Sequence, residues 1–182
     1  LIGKEADVAL YKQRQAELNS SIHDTFFDED SCLYASGSQI DMIYPMLVGA
    51  TPVDQLEKVR DSLMKVSEER FRGHIATGLV GVSVLTQWAT RNREAEYIYE
   101  MLKKRTYPGY LYMMDNGATL TWEEWDGERS QLHNCYNAIG SWFIQALAGI
   151  VPDESAPGYS HFYIRPQFVE GISWVKASKD TP

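Results

Sequence analysis

Apolar and polar positions alternate along this chain mainly with helical spacing. From Lys4 to about Phe26, Val8, Tyr11, Leu18 and Ile22 keep to one stripe, which predicts a helix. Asp28-Glu29-Asp30-Ser31 breaks the stripe, Ser36-Gly37-Ser38 resets it, and Gln39 to Val48 reads as a second helix ending at Gly49. Thr51-Pro52-Val53-Asp54 is a start signal, with proline early and an acid in the first turn. Leu56, Val59, Leu63 and Val66 then recur at three and four, up to Arg72-Gly73. Further helices are expected from about Ala76 to Ala89, from Glu94 to about Lys104, and from His133 to Leu147. Tyr110 to Met114, bracketed by Pro108-Gly109 and Asn116-Gly117, reads as a short strand-like or irregular segment. After Pro152 the texture changes: His161–Arg165 and Ile172–Lys176 are short, β-branched and aromatic, and are expected to be strands. The pattern is therefore mainly α, about six helices joined by short turns and followed by a β segment.

Composition narrows the chemistry. With 182 residues, 44% hydrophobic and 23% charged, the chain is long enough for a core of ordinary globular make-up. A net charge of −8 with scattered cations argues against a nucleic-acid surface, and no apolar run approaches the roughly 20 residues that span a bilayer. His23, His74, His133 and His161 stand apart without metal-ligand spacing, and neither a phosphate loop nor a dinucleotide glycine fingerprint is present, so neither metal nor cofactor is expected. Cys32 and Cys135 read better as two free buried thiols than as a pair. The opening Leu1-Ile2-Gly3 reads as an approach to a helix already under way, which suggests a piece of a longer protein.

The most informative stretch is Gly117-Ala118-Thr119-Leu120-Thr121-Trp122-Glu123-Glu124-Trp125-Asp126-Gly127. It brings two tryptophans and three carboxylates together in five positions. Carboxylates so close resist burial on a helix face, and an ordinary surface loop rarely spends two tryptophans. Flat rings stack on the apolar faces of sugars while carboxylates move protons, so a saccharide site is one reading. A solvated acidic loop over two packed indoles is the other. Glu123 and Glu124 are adjacent and generally point apart, so they make a poor acid–base pair.

The motif resembles the signature near the end of the catalytic barrel in bacterial α-L-rhamnosidases, a glycoside hydrolase family. Gly73-His74-Ile75-Ala76-Thr77-Gly78-Leu79-Val80-Gly81 and Tyr107-Pro108-Gly109-Tyr110-Leu111-Tyr112-Met113 are similar to two upstream family segments. His133, Gly140-Ser141-Trp142, Ala148-Gly149-Ile150, Pro157-Gly158-Tyr159, Ile164-Arg165-Pro166 and Trp174 follow in the family's order. The resemblance implies about half of an (α/α)6 barrel of helical hairpins in residues 1–150, then the first strands of a C-terminal β-sandwich in 151–182.

It also implies the removal of terminal α-L-rhamnose from a glycoside or polysaccharide, with inversion at the anomeric carbon, water as nucleophile and no cofactor. Glu123, directly after the first tryptophan, would be the general base. The family's general acid lies in an earlier acidic segment that nothing in this chain matches. Trp122 and Trp125 would be walls or platforms, with core packing equally open for Trp125; Glu124, the neighbour of the base, is a substrate-binding candidate, and His133 would hydrogen-bond the sugar. Tyr110 is a candidate for lining the cleft. Leu132 stands where the family has asparagine and Asn137 where it has glycine, so the sugar contacts are expected to differ in detail. The alternative is a carbohydrate-binding helical module without catalysis. Half a ring would leave an apolar flank open, and association through that flank is expected.

Overall fold

The computed structural model describes residues 4–180, in two compact units, Leu1–Arg70 and Phe71–Pro182. The first unit opens with α1 (Glu5–Phe26), built largely of good helix formers and braced by a Gln13–Glu17 hydrogen bond one turn apart, 2.9 Å. Its expected apolar stripe is not in a core: Val8, Tyr11 and Leu18 are all more than half exposed. The chain then makes a tight hairpin, β1 (Phe27–Asp28) with β2 (Leu33–Tyr34), which the helical pattern did not signal. Asp28 turns that corner by accepting the Asp30 N–H at 3.0 Å. The Phe27 ring lies 4.7 Å from His23 and 4.9 Å from Tyr34, and the His23 ring nitrogen meets the Tyr34 hydroxyl at 2.7 Å.

Two helices complete this unit. α2 (Gln39–Val48) starts where Ser38 accepts the Asp41 N–H, and Met42 and Ile43 are fully buried. A 3-10 turn over Val53–Gln55 leads into α3 (Leu56–Glu69), where Val59, Leu63 and Val66 carry the buried face the spacing predicted. Arg70 closes the unit by donating to the Ser36 carbonyl at 2.9 Å.

The second unit is built on α4 (Leu79–Arg91), which buries Val82, Leu85, Trp88 and Ala89, and on α5 (Ala95–Leu102), which buries Ala95, Ile98 and Met101. Gln167 locks their junction from far along the chain. Its amide donates to Thr90 O at 2.8 Å and its side-chain oxygen accepts the Ala95 N–H at 3.2 Å.

Three expectations change here. Tyr110–Asp115 is a short helix, α6, not a strand-like segment. Leu111, Met113 and Met114 are good helix formers, Met113 is buried in the core, and Asn116 caps the helix end through Tyr112 O. The long helix expected from His133 to Leu147 is a 3-10 turn at Asn137–Ile139 and a π-helical stretch at Trp142–Leu147. Residues 133–136 are held out of helix because the His133 N–H bonds back to Thr121 O at 2.9 Å, with the Thr121 hydroxyl donating to His133 O. In the β segment, Phe162–Ile164 (β4) is a strand as expected. Its partner is Ile150–Pro152 (β3), and Ile172–Lys176 forms no strand among the described residues. Trp174 is 77% exposed there, and no strand among the described residues pairs with this segment.

The hairpin is pinned to the helices at Gly149, whose φ of +71° is left-handed. A Cβ at this position would sit 2.2 Å from Pro166 N and 2.3 Å from Arg165 C. Gly149→Ala should therefore lower the unfolding free energy by about 2–4 kcal/mol in denaturant titration, because backbone and not a side-chain tip must give way.

Candidate functional site

The motif loop between α6 and the 3-10 turn has little regular structure, so side chains give it its shape. Trp125 is the central one. Its indole N–H donates to Thr77 O at 3.0 Å, its face stacks on Tyr136 with centroids 4.0 Å apart, and Tyr110 meets it edge-on at 5.2 Å. The Tyr110 hydroxyl then donates to Tyr136 O at 2.7 Å. Trp122 is equally buried, at 4% exposure, and lies against Gly127, where a Cβ would come within 2.8 Å of the indole. Gly127 also holds a left-handed φ of +79°, so the Asp126-Gly127 turn both reverses the chain and lets the ring lie flat under it. Both indoles thus belong to the core of this unit, beneath the loop.

Glu123 lies on top. Its N–H donates to Ser130 O at 2.8 Å, and its carboxylate faces the Ser130 N–H at 3.4 Å, so the two residues clasp the ends of a short loop. The side chain is half-buried, 29% exposed, with Arg129 at 3.9 Å. Glu124 points elsewhere: it is more open and takes the Arg129 Nε at 2.9 Å. The two acids diverge, as adjacent residues were expected to. His133 is half-buried and spends its Nδ1 accepting the Cys135 N–H at 3.1 Å, which leaves Nε2 as the nitrogen able to meet a ligand. Cys135 faces the carbonyls of Trp122 and Glu123 at 3.5 Å each, and burial pushes its thiol pKa up. Cys32 and Cys135 are both free; each is half-buried, a departure from the fully buried thiols expected.

Sequence reading singled out the indoles and the acids but missed the residues that position them. Arg129, Ser130 and Tyr136 hold Glu123, Glu124 and Trp125, and Thr121 ties the loop to His133 and to the Asn137 side chain at 2.8 Å. The signal available was the shortness of the Glu123–His133 loop, which forces its two ends together. Among the described residues no group of three or more His, Cys, Asp or Glu side chains could hold a metal ion, and no helix is long and apolar enough to cross a membrane.

The fold is mainly helical, and a loop carrying a clasped carboxylate over buried aromatic rings follows its helices. Comparison with known proteins makes the assignment specific. Residues 1–147 match the bacterial alpha-L-rhamnosidase 6 hairpin glycosidase domain, residues 149–182 match the bacterial alpha-L-rhamnosidase C-terminal domain, and the chain belongs to this family. An alpha-L-rhamnosidase of Alteromonas sp. (strain LOR) is 26% identical across the whole chain, which spans 21% of that protein. The alpha-L-rhamnosidase structure from Dictyoglumus thermophilum superposes with a TM-score of 0.82 at 27% identity, covering 94% of this chain and 20% of that one. The Streptomyces avermitilis alpha-L-rhamnosidase complexed with L-rhamnose gives a TM-score of 0.80 at 24% identity, covering 88% of this chain and 16% of that one. The chain thus spans about a fifth of the length of the relatives it matches. The resemblance and the fold class read from the motifs are both borne out.

Burial of the phenols makes the aromatic stack pH-sensitive. Desolvation raises the pKa of Tyr110 well above the ordinary tyrosine value, and it pushes Tyr136 up to about 12. The fold therefore favours the neutral phenols. Their contribution is intact below the unfolded-state value of about 10 and is lost as pH rises beyond it toward the shifted values. Denaturant unfolding at pH 8 and pH 11 should show lower stability at the higher pH. Tyr110→Phe should flatten that fall while costing about 0.5–1.5 kcal/mol at pH 8 through the lost bond to Tyr136 O.

Proposed function

We propose that this chain supplies the base-bearing part of an inverting α-L-rhamnosidase, with residues 1–150 from its catalytic helical barrel and 151–182 from the start of the following β domain. The observation that carries the reading is Glu123: a half-buried carboxylate, clasped at both ends of its loop by Ser130, on the family's signature motif. In this reading Glu123 draws a proton from the attacking water and the general acid comes from a segment outside this chain. Inverting enzymes keep the two carboxyls roughly 6.5–9.5 Å apart so that water fits between them. Adjacent residues generally point apart rather than across one substrate, and the divergence of Glu124 toward Arg129 fits a neighbour's role.

Trp122 and Trp125 form the buried floor on which the Glu123 loop rests, Tyr110 braces Trp125, and His133 offers Nε2 to a sugar hydroxyl. The substrate is a glycoside or polysaccharide ending in α-L-rhamnose, in keeping with the names of the relatives and with the L-rhamnose complex of the Streptomyces avermitilis protein. A purely binding module is less well supported, because such a module needs exposed stacking faces and both indoles are nearly buried.

In the full-length protein, Glu123→Gln should lower kcat on an aryl α-L-rhamnoside by about 10²–10⁴-fold with the melting temperature unchanged. Product observed by NMR during early turnover by the wild type should be the β-anomer. Near-wild-type turnover by the variant, or retained α-configuration, would overturn the base or the stereochemistry respectively. The exposed Val8, Tyr11, Leu18 and Phe26 of α1 support association through that flank. Residues 1–182 alone should sediment as more than a monomer, and Tyr11→Glu with Leu18→Glu should return it to one.

A further inference from the structure

On the α4 side of the 3-10 turn that Thr121 ties to the motif loop, a cavity of about 710 Å³ opens between the C-terminal half of α4, the π-helical stretch and the β3–β4 hairpin. That volume lies within the range of small-molecule sites, roughly 300–1,000 Å³. Its lining is unusual for an acidic chain. The protein carries 25 acidic against 17 basic residues, yet this wall holds three arginines, Arg91, Arg93 and Arg165, and a single acid, Glu154. Glu154 is already engaged by Arg91 at 2.7 Å, so the wall offers Arg93 and Arg165 no further carboxylate. The rest is largely hydroxyl and amide: Ser141, Gln145 and Asn137 line the cavity, and the Thr90 hydroxyl in the same wall is buried without a hydrogen-bond partner.

Both uncompensated arginines stand on fixed backbone. The Arg165 N–H donates to Gly149 O at 2.8 Å, beside the tight Gly149–Pro166 approach, and its guanidinium lies 3.7 Å from the Tyr163 ring centroid. A guanidinium held over a ring loses little freedom on meeting an anion. Arg93 adopts a left-handed φ of +62°, uncommon for a side chain this large, between the Asn92 cap on Trp88 O and the Glu94 N–H bond to Ala89 O. A guanidinium held at Arg165 and a second cation on the fixed turn at Arg93, beside neutral hydroxyl and amide groups, suit a ligand that is both anionic and polyhydroxylated.

We propose that this cavity is a second, non-catalytic subsite for an acidic sugar unit, a uronate or a sulfate ester, bound through Arg93 and Arg165. The sugar part of the assignment rests on the glycosidase reading above; the anion part rests on the arginines alone. The test is calorimetric titration of the full-length protein with D-glucuronate, glucose 6-sulfate, glucose and inorganic sulfate, a readout that needs no turnover. At least one acidic sugar should bind about tenfold or more tightly than glucose and than inorganic sulfate. Which of the two binds identifies the carboxylate or the sulfate ester as the source of charge. Arg93→Gln with Arg165→Gln should weaken that binding about tenfold, and Arg165→Gln alone should weaken it by less. Glu154→Gln should strengthen it several-fold, a gain that damage to the fold cannot imitate. Equal binding of glucose, equal binding of inorganic sulfate, or affinity unchanged in the double variant would each overturn the subsite. Loss of the rhamnosidase reading would show separately, in turnover of the rhamnoside.

Discussion

Trp125 is the side chain on which the candidate site depends. Thr77, Tyr110 and Tyr136 lie far apart in sequence, on segments that share no strand or helix, and each reaches the same indole. Each aromatic contact contributes about 0.5–1.5 kcal/mol beyond burial, and the bond to Thr77 O spares the cost of a buried, unpaired N–H. The contrast with Trp142 is instructive, since its indole nitrogen is buried without a partner. Trp142 is held by packing alone, against Phe143 at 4.9 Å and Tyr99 at 6.5 Å. Trp125 is held by direction as well, and direction is what a loop without regular structure needs if it is to keep a carboxylate in place.

Elements with strong internal periodicity were legible from the sequence. Val59, Leu63 and Val66 in α3, and Val82, Leu85 and Trp88 in α4, lie in the core as their spacing requires. What escaped was short, or was decided by distant partners. Tyr110–Asp115 is too short for a helical period to show, and the flanking Pro108-Gly109 and Asn116-Gly117 masked its helix-forming Leu111, Met113 and Met114. A distant bond from Tyr110 to Tyr136 O, 26 residues on, helps hold it. Nothing local prevents a helix from starting at His133; the Thr121 backbone and hydroxyl do that from the far side of the loop. The stripe on α1 misled in the opposite sense. Its period is helical and so is the element, but period reports a face and not what the face packs against.

Of the candidate site, residue types were legible and geometry was not. The motif and its family resemblance pointed to Glu123, Trp122 and Trp125, and the fold sets all three in one loop and its floor. Whether the indoles stood open as platforms or lay beneath the loop depended on Gly127, whose missing side chain lets the backbone close over Trp122. The arginines of the second cavity were invisible as a group. Arg91 and Arg93 sit at a helix end and Arg165 in a hairpin, and distant contacts, Gln167 to Thr90 and Ala95 and Arg91 to Glu154, bring those two stretches to one wall.

The division of labour between the two adjacent glutamates follows from where one cation sits. A guanidinium shared evenly between both would tie the two side chains to one point. Here Arg129 is committed to Glu124 at 2.9 Å and only approaches Glu123, at 3.9 Å. At that longer distance, on a surface where ion pairs contribute little, the attraction orients Glu123 without occupying it. Its other anchor is a main-chain N–H, at 3.4 Å, a contact weak enough to be exchanged for water. Glu124 thus takes most of the nearby positive charge, and the Glu123 carboxylate is left without a close cation.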